Sequence, residues 1–134
     1  MQKSSKAELF LDTTVIVSAI TKRNTASYNL LLNYRGKLYT NEYAMKETSR
    51  VLKNEFKYSN ELVNKAIGYI RMRCDVLPSP HKEEFERIIL RDKADKPIVC
   101  SAVKKGCVLV IDDEETYQNA KGYVETRHSD EIKI

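Results

Sequence analysis

Residues 9–17 read LFLDTTVIV. Leu9, Phe10 and Leu11 form one apolar run, and Val15, Ile16 and Val17 form another. Asp12, Thr13 and Thr14 stand between them. The first run has the pattern of a strand buried on both faces. An ionised carboxylate within such a strand, with no partner, carries a desolvation cost that folding cannot ignore. Asp12 is therefore expected at the end of the strand, where water or a cation reaches it.

Working outward, the chain alternates between strand and helix patterns. Residues 8–12 read as a strand. Residues 26–37 carry apolar positions at helical spacing and stop at Gly36. Residues 37–40 read as a short strand. Residues 40–55 read as a helix with Thr40 or Asn41 as cap and Tyr43, Met45, Val51 and Leu52 on one side. Residues 59–73 read as a second helix, capped by Ser59 or Asn60 with Glu61 in its first turn. A strand over 74–77 stops at Pro78, and 81–90 read as a helix. Residues 94–106 have Asp95 near the cap, Pro97 in the first turn and Gly106 past the end, strong signals at both termini. CVLVI, 107–111, is a continuous apolar strand. A short helix over 112–121 and an edge strand over 122–126 complete the chain. Strands separated by helices imply right-handed crossovers and a parallel sheet covered on both faces.

The 134 residues suit one domain spanning 1–134. No window approaches the ~20 apolar residues of a membrane span. Asp12 interrupts the apolar stretch near the N-terminus, which argues against a signal peptide. Cys74, Cys100 and Cys107 are scattered, with no C-x-x-C, so reduced and mostly buried thiols of a cytosolic protein are expected. The net charge of +4 is a weak pointer to an anionic partner.

In an open parallel sheet, sites form beyond the carboxyl ends of the strands. Asp12 ends the first strand there, and Asp112 and Asp113 end CVLVI. Asp95 opens the helix leading into CVLVI, and Glu47 lies in the helix after 37–40. Taken singly, each has an ordinary reading: a turn, an N-cap, an exposed helix residue, an acidic first turn. Together, four acidic positions distant in sequence converge on one edge. Two carboxylates at about 4 Å repel by roughly 4 kcal/mol at an effective dielectric near 20. Protons or cations must offset that, and an all-oxygen ligand set selects Mg²⁺ or Mn²⁺.

These residues resemble the motifs of PIN-domain nucleases. LFLDTTVIVSAI resembles the family's opening strand, which ends in Asp-Thr-Asn before an apolar helix. TNEYAMKETSRVL resembles its Glu-bearing helix. RDKADKPIVCSAVKKGCVLVIDDEETY resembles its Asp-x-x-Asp, helix, strand and closing acid. The resemblance covers nearly the whole chain in the right order. It implies a three-layer α/β/α PIN-like domain with a central parallel sheet of four to five strands. Carried over by position, the metal-binding acids are Asp12, Glu47, Asp95 and Asp113, with Asp112 as the register rival of Asp113. Thr13, Thr14 and Glu115 have supporting places, Thr14 standing where Asn is common. The implied activity is a Mg²⁺- or Mn²⁺-dependent endoribonuclease attacking RNA phosphodiesters in line with water and leaving 5′-phosphate and 3′-hydroxyl ends. The size looks like the toxin component of prokaryotic toxin–antitoxin pairs.

Setting the four acids aside leaves 23 basic residues against 15 acidic ones. Lys22, Arg23, Arg50, Lys53 and Lys93 are candidates for a basic rim that attracts RNA phosphates; each is equally readable as a solvated surface charge. A homodimer and an antitoxin are the implied protein partners, with the apolar helix 59–74 and the one before it as the surface, or else plain core. Other readings fare worse. A response-regulator receiver has its acid pair near its start, not near its end. A haloacid dehalogenase needs an acid where Thr14 stands. No G-x-S-x-G elbow or Gly-rich phosphate loop is present, and His81 and His128 lie in polar, loop-like surroundings. A housekeeping RNA-processing nuclease and a catalytically weak RNA-binding module remain open.

Overall fold

The structure, a computed structural model, describes residues 6–85 and 95–134. Five strands, all paired in parallel, form the sheet: β1 (Leu9–Leu11), β2 (Leu38–Asn41), β3 (Asp75–Leu77), β4 (Val108–Val110) and β5 (Thr126–Arg127), in the order β3-β2-β1-β4-β5. The central pair is in register Leu9 with Val108 through Leu11 with Val110. Among the described residues there are six α-helices: α1 (Thr13–Thr21), α2 (Ala26–Asn33), α3 (Glu42–Asn54), α4 (Asn60–Arg73), α5 (Lys96–Lys105) and α6 (Glu114–Ala120). This is the three-layer α/β/α arrangement expected from the sequence.

The alternation of β1 builds both halves of the core. Leu9 and Leu11 face one apolar cluster, made with α1, α2 and α4. Phe10 faces the other, made with α5, Leu109, Ile111 and Ala120. None of the three is more than 1% exposed. The second apolar run is helical. Thr13 through Val17 are all β-branched and favour strand locally, but Asp12 caps the turn and Val15, Ile16 and Ala19 pack into the core, so tertiary burial decides.

The other termini follow their sequence signals. Asn41 caps α3 and Ser59 caps α4. Pro97 opens α5, and Gly106 closes it at φ 74, the left-handed region that glycine enters without strain. Three expectations shift. The strand expected over 122–126 is two residues long and begins at Thr126. Of the helix expected over 81–90, Lys82–Phe85 is a 3₁₀ turn and the remainder lies outside the described residues. The strand expected over 37–40 runs instead to Asn41.

In α4, Val63, Ala66 and Ile70 are buried in the core, so most of that apolar face is structural, while Leu62 and Met72 remain exposed. Cys74, Cys100 and Cys107 are buried free thiols; burial pushes Cys74 up to about 12 and Cys107 up to about 11. No described helix is long and apolar enough to cross a membrane.

Asn41 locks α3 to α5. It is fully buried, its Oδ1 accepts from the Ala44 amide at 2.9 Å, and its Nδ2 donates to Pro97 O at 3.2 Å and Ser101 Oγ at 2.8 Å. Asn41→Ala removes the cap and strands those acceptors. A loss of about 2–3 kcal/mol is expected in urea unfolding, against about 1 kcal/mol for Ser59→Ala, whose cap is exposed.

Candidate acidic metal centre

The parallel sheet brings every strand's carboxyl end to one edge. The chain leaves β1 and β4 through acidic helix caps. Asp12 accepts from the Thr14 amide at 3.2 Å, and Asp113 accepts from the Thr116 amide at 2.9 Å. Asp95 stands at the cap position of α5 but makes no side-chain capping bond. Its carboxylate instead accepts from the Thr116 hydroxyl at 3.2 Å, and the same hydroxyl lies 2.7 Å from the Asp113 carboxylate. A hydroxyl has one proton to donate. The two acids are therefore brought together around a single shared donor.

A second pair forms beside the start of α1. Thr14 Oγ1 donates to Asp12 at 2.5 Å, and Thr13 Oγ1 donates to Glu47 at 2.7 Å. Adjacent threonines on α1 thus reach acids from two different elements. Asp12, Glu47, Asp95 and Asp113 each accept from a threonine hydroxyl. The substitution of Thr for Asn at position 14 keeps a donor on Asp12.

Asp112 is turned elsewhere. Its carboxylate accepts from Ser129 N and Ser129 Oγ, both at 2.7 Å, and from Ser27 Oγ at 3.2 Å. That ties β4 to α2 and to the C-terminal 3₁₀ turn at Ser129–Glu131. Glu115 is exposed in the first turn of α6, and no hydrogen bond among the described residues draws it into the acid set. Thr116 is the site residue the sequence reading missed. Its spacing three residues after a capping Asp was the available signal, since that position meets the cap's side chain.

Of the basic rim, Lys22, Arg23 and Lys53 are exposed. Arg50 is bound into the centre: its guanidinium lies 3.6 Å from the Glu47 carboxylate, one helical turn away. Lys93 lies outside the described residues.

The electrostatics differ across the centre. Asp12 is 7% exposed. Burial pushes its carboxyl up to about 6, opposed by the bonds from Thr14 and Thr13 and reinforced slightly by the Glu47 charge. Among the described residues, no Lys or Arg is an influence on it. Asp113 is exposed, and its bonds from Thr116 hold it below the usual carboxylate range. Among the described residues, no three Asp, Glu, His or Cys side chains stand close enough to hold an ion as they are. The donor set is nevertheless all oxygen, its hydroxyl donors are neutral, and buried Asp12 lacks a cationic partner among the described residues. That chemistry fits a hard divalent cation.

No family model matches the sequence, and no curated protein matches it. Solved structures do. VapBC2 from Rickettsia felis bound to a promoter DNA fragment superposes with a TM-score of 0.70 at 15% identity, over 90% of this chain and 98% of that one. FitAcB from Neisseria gonorrhoeae gives 0.68 at 14% identity, over 92% and 99%. VapC20 from Mycobacterium tuberculosis, a sarcin-ricin loop cleaving toxin, gives 0.64 at 18% identity, over 89% and 98%. At such identities the likeness is one of fold, and it is the PIN-like fold that the sequence motifs implied.

The Asp12 carboxyl yields a signed prediction. In the folded chain it keeps its proton to about pH 6, against 3.8 for an ordinary Asp. The folded state holds the extra proton in that window, so this residue's contribution to stability falls as pH rises through it. Asp12→Asn keeps an oxygen acceptor for Thr14 and removes the titration. In EDTA, the variant's stability relative to the natural chain should rise from near zero below pH 4 to about 3 kcal/mol above pH 6. A pH-independent difference in urea unfolding would contradict burial of an ionised Asp12.

Proposed function

We propose that this chain, with its PIN-like fold, is a Mg²⁺- or Mn²⁺-dependent endoribonuclease and the toxin of a toxin–antitoxin pair. The observation that carries the reading is two pairs of acids beyond the carboxyl ends of the strands, Asp12 with Glu47 and Asp95 with Asp113, bonded to threonine hydroxyls, with buried Asp12 lacking a basic partner among the described residues. The fold neighbours support the biological setting: VapBC and FitAB structures are complexes, and VapC20 is a sarcin-ricin loop cleaving toxin.

Asp12, Asp95 and Asp113 would hold the ion, and Glu47 would hold it or orient the attacking water. The ion would supply charge neutralisation at the phosphodiester and a lowered pKa for water. The chain supplies the remainder. Thr13, Thr14 and Thr116 fix the carboxylates while leaving their negative charge in place. Asp12 and Asp113 anchor that charge to the amino ends of α1 and α6. Lys22, Arg23 and Lys53 offer phosphate contacts around the acids, which fits a polyanionic substrate. RNA and an antitoxin are the proposed partners. A homodimer through the exposed parts of α3 and α4, including Leu62, is the proposed assembly, and the cytoplasm is the proposed compartment.

The test is cleavage of fluorescent single-stranded RNA with Mg²⁺, with Mn²⁺ and with EDTA. Activity should require metal and fall on the order of 100-fold or more in Asp12→Asn and Asp95→Asn. Asp113→Asn should behave the same way, whereas Asp112→Ala should cost about 2 kcal/mol of stability and retain most of the cleavage. Cleavage lost in Asp112→Ala but kept in Asp113→Asn would reverse that assignment. No cleavage with either metal would replace the enzyme with an RNA-binding or interaction module.

A further inference from the structure

A cleft of about 320 Å³ opens directly beside the acidic centre, between α1 and the end of α3. Thr13 and Thr14, the residues that hold Glu47 and Asp12, form its inner end. From Thr14 to Thr21 it follows α1 for about 10 Å. Its opposite wall is Val51, Glu55 and Phe56, and Lys22 stands at its outer end. We infer that this cleft binds a nucleobase of the RNA, one adjacent to the phosphodiester held at the acids. The inference rests on the nuclease reading and adds to it a recognition site.

Three observations select a base as the occupant. The first is the aromatic face. Phe56 is 41% exposed, an unusual place for so large an apolar ring, and it is held there rather than free. The turn that bears it is tied down by Phe56 N donating to Val51 O and Tyr58 N donating to Leu52 O. Tyr58 packs edge-on against the ring at 6.5 Å, and Lys57 turns the backbone through φ 59. A fixed, exposed ring is a stacking platform for a base.

The second is the wall opposite. Thr14, Ser18 and Thr21 place hydroxyls along the cleft, and the Ser18 hydroxyl has no partner among the described residues. A hydroxyl both donates and accepts, which suits the mixed edge of a base. Thr14 and Thr21 already donate to Asp12 and to Val17 O, so it is the Ser18 hydroxyl that an apolar helix docking here would leave unmatched. The third is continuity. The cleft meets the acids through Thr13 and Thr14 and ends at an exposed lysine, so a chain with one phosphate at the acids and the next near Lys22 lays its base between them. The volume falls at the small end of the range for ligand clefts.

The test separates this inference from the nuclease reading. Binding of a short single-stranded RNA is compared by fluorescence anisotropy in EDTA with binding of the same RNA carrying abasic riboses, and cleavage of the intact RNA is measured in parallel with Mn²⁺. The full chain, Phe56→Ala, Phe56→Tyr and Ser18→Leu are used, the last filling the cleft from the α1 side. The natural chain should prefer the base-bearing RNA by about tenfold, the scale of one base–aromatic stack. Phe56→Ala and Ser18→Leu should abolish that preference and raise KM for cleavage, and Phe56→Tyr should restore both. Cleavage by the natural chain with neither preference nor KM moved by the variants overturns the base site and leaves the nuclease standing. The same holds if the two variants weaken only the binding of a protein partner. Absence of both cleavage and base preference in the natural chain removes the nuclease reading and this inference with it.

Discussion

The whole arrangement depends on a carboxylate held at the end of the central strand. Asp12 follows three residues that are fully buried, and it is itself almost out of water. Isolated burial of an ionised group would be prohibitive. The fold limits the penalty in two ways. The amino end of α1 faces Asp12, so an amide and the helix dipole favour its charge. Thr14 supplies a second donor from its side chain. Burial still dominates, since the carboxyl remains well above its ordinary value. A residual penalty at this position is the kind of feature that functional sites share, and it is one support for the metal site proposed above.

The choice of threonine as the common partner has a physical logic. A lysine or arginine at the same distance would neutralise a carboxylate and occupy the space a cation needs. A hydroxyl satisfies one lone pair and leaves the charge available. Thr116 carries this furthest, serving Asp95 and Asp113 with a single proton. Two like charges around one donor remain mutually repulsive, an arrangement that a divalent ion would relieve. Asp112, one residue earlier, shows the contrast. It is fully engaged by two serines and serves to fasten the C-terminal turn.

Much of this was legible in the sequence because the informative signals were local. Asn41, Ser59, Pro97 and Gly106 mark helix ends through their own backbone chemistry, and the structure places them where they were read. Asp12 was legible as a strand end because its position contradicts the apolar runs around it. The failures share a cause. Thr116 looks like any residue in an acidic helix turn, since its bond to Asp95 spans 21 positions. Adjacent Asp112 and Asp113 differ in direction, which periodicity cannot assign at the end of a three-residue strand. The edge strand β5 is short because only Leu109 and Val110 offer it register, a tertiary limit invisible in residues 122–126.

Arg50 joins the two halves of the electrostatic picture. It was read as part of a basic rim, and its guanidinium lies 3.6 Å from the Glu47 carboxylate, with the arginine side chain largely solvated. Such a pair contributes about 0–1 kcal/mol and is screened by salt. It is weak enough to open when a stronger cation approaches Glu47. The guanidinium would then be released beside the acids, free to meet a phosphate. Were a cation held at Glu47, this side chain would add to the positive surface around the acids.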